Sequence, residues 1–308
     1  MHFEHIIGND NVKSLLTHTI HTNNILHSYM FIGLDGIGKS LFAKDFANMI
    51  LCTSTDFTNK PCGLCEACTL YASSNHPDFM LIEPEDGKSI KIEQIRYLQE
   101  KIAEKPITSS KKVYVINDSD TMTKEAQNCL LKTLEEPPEY AVIILVLSNE
   151  SQMLPTIKSR CTKIVFHALK QDELNAYFSL HYGNTLDDNI LKVCNGSIKK
   201  AIETQDDMEL YTQMNTILHS LEQNDMIDVW NNSDSLYQAK DKIQSVLEYI
   251  SIVLMNQLLY SQDMRYANCI QIIEQTKKRL TSNANFDMCI DNLLLKMWEE
   301  FHEKYSWH

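Results

Sequence analysis

The chain has 308 residues, with 28 Lys and Arg against 41 Asp and Glu, for a formal net charge of −13. Hydrophobic residues make up 44% and charged residues 22%, enough apolar side chain for packed cores, so disorder is excluded as the main state. The acidic balance counts against a free-standing nucleic-acid binder, whose affinity comes mostly from Lys and Arg on phosphates, and the length predicts two or three domains.

The first apolar run, Tyr29–Ile32, reads as a buried strand. It leads into Gly33-Leu34-Asp35-Gly36-Ile37-Gly38-Lys39-Ser40, which fits G-x-x-x-x-G-K-[ST], and then into an amphipathic segment over 39–51. A glycine-rich turn between strand and helix lets backbone N–H groups close around phosphate oxygens at the helix N-terminus. The candidate contacts to ATP are Gly33, Gly36, Ile37, Gly38, Lys39, Ser40 and Leu41. Lys39 would reach the β- and γ-phosphates, and the Ser40 hydroxyl would ligate magnesium.

Four of the nine cysteines come next, at Cys52, Cys62, Cys65 and Cys68. Thiolates at this spacing suit a closed, structural tetrahedral zinc site. An iron–sulfur cluster is the competitor, but the sequence after Cys68 is Thr69-Leu70-Tyr71, without the Cys-Pro that completes the ferredoxin run. The other five cysteines are scattered and read as buried thiols.

Candidate strands follow at Phe79–Ile82, Val113–Ile116, Ala141–Leu147 and Lys163–Phe166, with amphipathic segments over 91–104 and 123–136 between them. Strands alternating with helices predict βαβ units, a parallel sheet and a three-layer α/β domain ending near residue 167. ATP hydrolysis needs a strand ending in a carboxylate for magnesium, followed by one that positions water. The strand over 113–116 instead runs into Asn117-Asp118-Ser119-Asp120. A neutral amide then stands at the magnesium position, and Asp118 takes the water-orienting position, one methylene shorter than Glu. Asp118 or Asp120 could compensate, but the register argues for weak or absent hydrolysis.

From residue 168 onward the pattern is helical, over 170–181, 186–194, 197–205, 208–223, 235–260, 262–281 and 286–304. Between Ala201 and Ala239 there is no Lys or Arg, a poor setting for phosphate contacts. The longest apolar run, Ala141 to Leu147, is far short of the ~20 residues of a membrane helix. The first residues carry no secretory signal pattern, so a cytoplasmic protein is expected.

In their order along the chain, the phosphate loop, the four-cysteine insertion, the stretch Leu130-Leu131-Lys132-Thr133-Leu134-Glu135-Glu136-Pro137-Pro138 and Ser159-Arg160-Cys161 resemble the AAA+ subunits of the bacterial DNA polymerase III clamp loader. Two subunit types compete, the motor (gamma/tau) and the delta-prime type. His76-Pro77-Asp78, the stretch Ile90 to Arg96 and Asn117 to Thr123, where a motor has an Asp-Glu pair followed by His, are similar to delta-prime. The resemblance implies an AAA+ domain over 1–167 with a zinc module at 52–68, a three-helix lid over 168–206 and an oligomerising helical collar over 207–308. It further implies a five-subunit ring with gamma/tau-like and delta-like partners that loads the sliding clamp on primed DNA. In that ring Arg160 would act in trans on a neighbour's γ-phosphate. Ile6-Ile7-Gly8 is similar to the family's adenine-side segment, and Gly196-Ser197-Ile198-Lys199 to its second sensor region. A motor-type or autonomous AAA+ ATPase is the alternative.

Overall fold

The computed structural model describes residues 3, 5–85, 87–223, 225–282 and 284–302. Five parallel strands, β1 (Ser28–Ile32), β2 (Phe79–Ile82), β3 (Lys112–Ile116), β4 (Ala141–Leu147) and β5 (Thr162–Val165), form one sheet in the order β2-β3-β4-β1-β5. All seven residues of β4 are buried, as a central strand covered on both faces requires.

The period-two alternation of the strands separates two cores. Tyr29, Phe31, Val113, Val115, Val142, Ile144 and Val146 point to one face, where they meet α1 (Asp10–His21) and α2 (Lys39–Leu51) through Val12, Leu16, Ile20, Phe42 and Phe46. Met30, Tyr114, Ile116, Ile143, Leu145 and Leu147 point to the other, beneath α4 (Ile92–Ala103), α5 (Lys124–Glu135) and the single turn α6 (Pro155–Lys158). The short α3 (Glu66–Ala72) lies beside α2, held by a hydrogen bond from the Tyr71 hydroxyl to the Lys44 carbonyl at 2.8 Å. The three-layer α/β arrangement expected from the sequence is present. Helices α1 and α3 go beyond that expectation, although Val12, Leu16 and Ile20 stand at the i, i+4, i+8 spacing of a buried helix face.

The remaining helices are α7 (Gln171–Tyr182), α8 (Asp188–Cys194), α9 (Ile198–Asp206), α10 (Met208–Gln223), α11 (Met226–Asn231), α12 (Asp234–Gln238), α13 (Ile243–Ser261), α14 (Met264–Thr281) and α15 (Phe286–His302). The chain divides into two compact units, Met1–Tyr177 with Gly196–Lys199, and Phe178–Asn195 with Lys200–His308. Among its described residues the second contains helices and no strand, with Met214, Leu221, Val246, Leu247, Leu254, Cys269, Ile273, Ile290 and Leu293 buried in it. The helix expected over 235–260 is interrupted. Lys240–Lys242 form a 3-10 turn, and the Lys242 ammonium pairs with Asp207 at 2.6 Å. Residues 303 and 304 of the expected last helix lie outside the described residues. Of the scattered cysteines, Cys161, Cys194, Cys269 and Cys289 are buried and Cys129 is half-buried. Among the described residues no helix is long and apolar enough to cross a membrane.

Candidate functional site

Because the strands are parallel, the loops after β1, β3 and β4 share one edge of the sheet, where open α/β sheets bind ligands. The loop after β1 is the glycine-rich one. Gly36 and Gly38 have φ of 76° and 92°, a region that favours glycine, and Gly38 caps the N-terminus of α2. Ile37 between them is wholly buried in the core, so it offers the site only its backbone N–H. Ser40 is half-buried in the first turn of α2, and Leu41 is exposed. A Cβ on Gly33 would come within 2.7 Å of the Phe166 carbonyl oxygen, whereas one on Gly38 would meet only Ile6 at 3.9 Å. The loop is therefore packed against the fold at its start and open at its helix end, the geometry of a cradle for an anion.

Lys39 is 5% exposed. Its ammonium donates to the carbonyls of Gly33 (2.8 Å) and Leu34 (2.6 Å) and to the Ser148 hydroxyl (3.1 Å) just past β4. Burial pulls its pKa below the ordinary lysine value, opposed by the charges of Asp35, Asp118 and Asp120. An arriving phosphate would favour the charged form in the same way. The segment 196–199 lies on the same loop. The N–H groups of Ile198 and Lys199 donate to the Gly36 carbonyl at 2.9 and 3.3 Å, and the Lys199 ammonium pairs with Asp35 at 2.9 Å. Burial would raise the Asp35 pKa, but Lys199 outweighs it and holds the carboxyl below its usual range.

The tip of β3 is built differently from a magnesium site. The Asn117 amide donates to the Asp118 carboxylate at 3.3 Å. Asp118 sits at φ 48°, and burial together with Asp35 and Asp120 pushes its pKa up. Asp120 accepts hydrogen bonds from the backbone N–H groups of Ser148 (3.1 Å) and Asn149 (2.7 Å), while the buried Ser119 hydroxyl donates to the Val146 carbonyl at 3.0 Å. The 3-10 turn Ser119–Thr121 is thus clipped onto the end of β4 through Asp120 Oδ2. The loop and Lys39 fit a nucleotide's phosphates, whereas the residue that follows β3 is the neutral amide Asn117.

The four cysteines converge. Their sulfurs all lie within 4.8 Å of one another, with Cys52 and Cys65 at 3.9 Å. Cys52 is the C-cap of α2 and Cys65 the N-cap of α3. The N–H groups of Cys62, Cys65 and Cys68 point at the sulfurs of Cys52, Cys62 and Cys65 at 3.4, 3.4 and 3.5 Å. Burial pushes the Cys52 and Cys68 thiols up. Backbone N–H groups of Leu64 and Cys65 draw Cys62 down. Burial opposes ionisation of Cys65 as well, but hydrogen bonds from Thr53 and Cys68 bring it to about 6. Four such sulfurs ionise together only around a cation, and tetrahedral M–S bonds of about 2.3 Å set sulfurs about 3.8 Å apart. The cluster can hold one metal ion.

Beside this module His76, 5% exposed, accepts a hydrogen bond from the Asp78 N–H on Nδ1 (3.0 Å) and faces the Ser109 hydroxyl through Nε2 (3.2 Å). The Ser109 hydroxyl donates to the Leu51 carbonyl at 2.6 Å. Asp78 accepts from the N–H groups of Ile107, Thr108 and Ser109, each at 2.8 Å. The Asp78 carboxylate is committed to backbone, so this Ser-His-Asp set is a clasp beneath the cysteine module and not a nucleophile.

Arg160 stands elsewhere. It precedes β5, and the Ser28 hydroxyl at the start of β1 donates to its carbonyl at 2.6 Å. That is the opposite edge of the sheet from the phosphate loop, separated by the five residues of β1, about 16 Å. The guanidinium donates to the Thr156 carbonyl (2.9 Å) and pairs with Glu135 (2.8 Å). The structure therefore brings the phosphate loop, Asp118 and Lys199 together and leaves Arg160 and the cysteines apart from them. Sequence reasoning passed over Ser148, although the first polar residue after a fully buried run was the available signal. It also passed over Glu135 as the partner of Arg160.

The model of the family described as DNA polymerase III, delta subunit, matches residues 8–170. The delta' subunit of DNA polymerase III from Bacillus subtilis is 38% identical over 159 residues, 52% of this chain and 47% of that protein. The delta' subunit from Pseudomonas aeruginosa is 38% identical over 138 residues, 44% of this chain and 42% of that one. The tau/gamma subunit from Haemophilus influenzae is 32% identical over 177 residues, 58% of this chain and 25% of that one. The matched stretch spans less than half the length of each of these relatives.

Proposed function

The chain belongs to the DNA polymerase III delta subunit family, and on that premise we propose that it is a delta-prime-like subunit of a clamp loader, a scaffold that lends Arg160 to a neighbour's ATP. It would sit in a five-subunit ring with gamma/tau-like and delta-like subunits and help to place the sliding clamp on primed DNA. Residues 1–167 would form the AAA+ domain, 168–206 the lid and 207–308 the collar. The observation that carries this reading is the position of Arg160. A guanidinium at the edge of the sheet away from its own phosphate loop is of no use to that loop, whereas an arginine on another subunit's developing phosphoryl charge is worth 10³–10⁵ in rate. The trans role needs no hydrolysis here, in keeping with Asn117 and with the commitment of Asp120 to the β4 clip.

In the phosphate loop, the N–H groups of Gly36, Ile37, Gly38, Lys39 and Ser40 would surround the β-phosphate of bound ATP. Lys39 would share its ammonium between the loop carbonyls and the phosphates, and the Ser40 hydroxyl would hold magnesium. Without a carboxylate at 117 the ion lacks its strongest protein ligand, so binding is expected to outlast hydrolysis. In the cysteine module the metal would be zinc, with Cys52, Cys62, Cys65 and Cys68 filling every position and leaving none for water.

The test is Arg160→Ala in the reconstituted loader, with clamp- and DNA-stimulated ATPase as the readout. Loss of stimulated turnover at the neighbouring motor, with the variant still incorporated, is the expected result. An unchanged rate refutes the trans role. Lys39-dependent turnover by the isolated chain would instead favour the motor reading.

A further inference from the structure

We propose that Glu135 is a holster for Arg160, holding the guanidinium on this chain's own surface until it is exchanged for the phosphate oxygens of a neighbouring nucleotide. The proposal rests on the trans reading of Arg160 and adds a residue and an exchange step to it.

The pair has one fixed end and one free end. The backbone of Arg160 is pinned, its N–H bonded to the Ile157 carbonyl at 3.0 Å and its carbonyl taken by the buried Ser28 hydroxyl at 2.6 Å. The base of the side chain therefore stays in place while the guanidinium can swing. Glu135 is positioned as firmly. It is the last residue of α5, followed by Glu136 and the helix-stopping Pro137-Pro138. The same helix is tied to the segment leading into α6 by Gln127, which donates to the Gln152 carbonyl (3.0 Å) and accepts from the Leu154 N–H (2.9 Å). The spacing between the bases of the two side chains is thus set by the fold.

Helix electrostatics make the two residues unequal. Arg160 lies just beyond the C-terminus of α6, where a cation is favoured, and already donates to the Thr156 carbonyl there. That contact engages Nη1 and leaves Nη2 to the carboxylate. Glu135 sits at the negative end of α5, where a carboxylate is disfavoured, so α5 gains nothing from its charge. What Glu135 does is occupy Nη2 at 2.8 Å. The side chains are 34% and 50% exposed, which keeps the pair weak and reversible. A phosphate offers more charge and a fork of oxygens that guanidinium binds through two parallel N–H bonds, so it displaces a single carboxylate contact.

Glu135→Gln keeps the shape and removes the competing charge. In the intact isolated chain, the rate of phenylglyoxal modification at Arg160, followed by peptide mapping, should rise severalfold, up to about fivefold, the ceiling for an exposed ion pair. Stimulated ATPase of the reconstituted loader should rise by a similar factor at sub-saturating ATP. It should fall to the Arg160→Ala level in the Glu135→Gln, Arg160→Ala double variant. Urea unfolding of Glu135→Gln should match the parent chain, a control that separates release of the arginine from loosening of α5. If Arg160→Ala abolishes stimulation but Glu135→Gln changes neither modification nor turnover, or lowers them, the holster is overturned and the trans reading stands. If Arg160→Ala leaves stimulation unchanged, the trans reading fails and the holster fails with it.

Discussion

Gly36→Ala and Gly38→Ala look equivalent in a sequence motif, and the structure says that they are not. Both positions have positive φ, 76° and 92°, so any side chain there costs about 1–2 kcal/mol of backbone strain. At Gly38 that is the whole cost to the fold, since a Cβ meets nothing closer than Ile6 Cγ2 at 3.9 Å. At Gly36 the added carbon would stand 2.4 Å from both the Lys199 Cβ and the Ser197 Oγ, and 3.1 Å from the Lys199 nitrogen. Overpacking of that kind adds about 1–3 kcal/mol, giving a total of about 2–5 kcal/mol. The strain can be relieved only by lifting the 196–199 segment, which breaks its two hydrogen bonds to the Gly36 carbonyl and the Lys199–Asp35 pair. The open space at Gly38 is also where phosphate oxygens would lie. Gly38→Ala should therefore abolish ATP binding, measured by titration calorimetry on the isolated chain, while lowering the urea midpoint only slightly. Gly36→Ala should lower the midpoint far more and expose the 196–199 backbone to hydrogen exchange. Equal destabilisation by the two variants would refute the steric argument, and undiminished ATP binding by Gly38→Ala would refute the placement of the phosphate.

Protein purified without added metal should carry one equivalent of zinc, and Cys62→Ser should lose it and open residues 53–66 to proteolysis. An iron spectrum, or a full equivalent retained by Cys62→Ser, would overturn the four-thiolate assignment. The clasp at His76 makes stability depend on pH. Burial lowers the His76 pKa in the folded chain against the opposing pull of Asp78, so the neutral imidazole is the form that supports the fold. That contribution is fully present above the unfolded-state value of about 6.5 and is lost as pH falls through the folded-state value. The urea midpoint should drop between pH 8 and pH 5.5, and His76→Gln should reduce that drop; an identical drop in both proteins would remove His76 from the explanation.

The parts of the site that were legible in the sequence are those governed by backbone demands or by local spacing. A glycine needed for positive φ, a lysine at the start of a helix and cysteines three residues apart carry their geometry with them. The strands were legible because β1, β3 and β4 are covered on both faces and read as unbroken apolar runs. What stayed hidden depends on partners far along the chain. Ser148 meets Lys39 across 109 residues, and Lys199 meets Asp35 across 164. Asp120 looked like a spare ligand for magnesium because nothing local shows that the N–H groups of Ser148 and Asn149 claim it. The Lys242–Asp207 pair at the break in the helix is likewise remote, spanning 35 residues.

The same distinction explains how a chain can keep its phosphate loop while the tip of β3 departs from a magnesium site. The loop is part of the core. Ile37 is buried with Phe31, Phe42 and Phe166, and Gly33 packs against the Phe166 backbone, so changing the loop changes the packing of α1, α2 and β1. Asn117 and Asp118 are partly exposed side chains at the end of a strand, outside both cores. A carboxylate there can be exchanged for an amide with no loss of buried apolar surface. The adjoining turn carries a structural task, with Ser119 and Asp120 fastening it to β4. Packing alone is therefore enough to retain the loop, and its presence does not by itself call for hydrolysis. Arg160 obeys neither constraint. Its backbone is held by the core through Ser28, and its guanidinium is held by partly exposed groups, the Glu135 carboxylate, the Thr156 carbonyl and the Ser159 hydroxyl. An arginine that is fixed at its base and loosely held at its tip is suited to act on a second molecule.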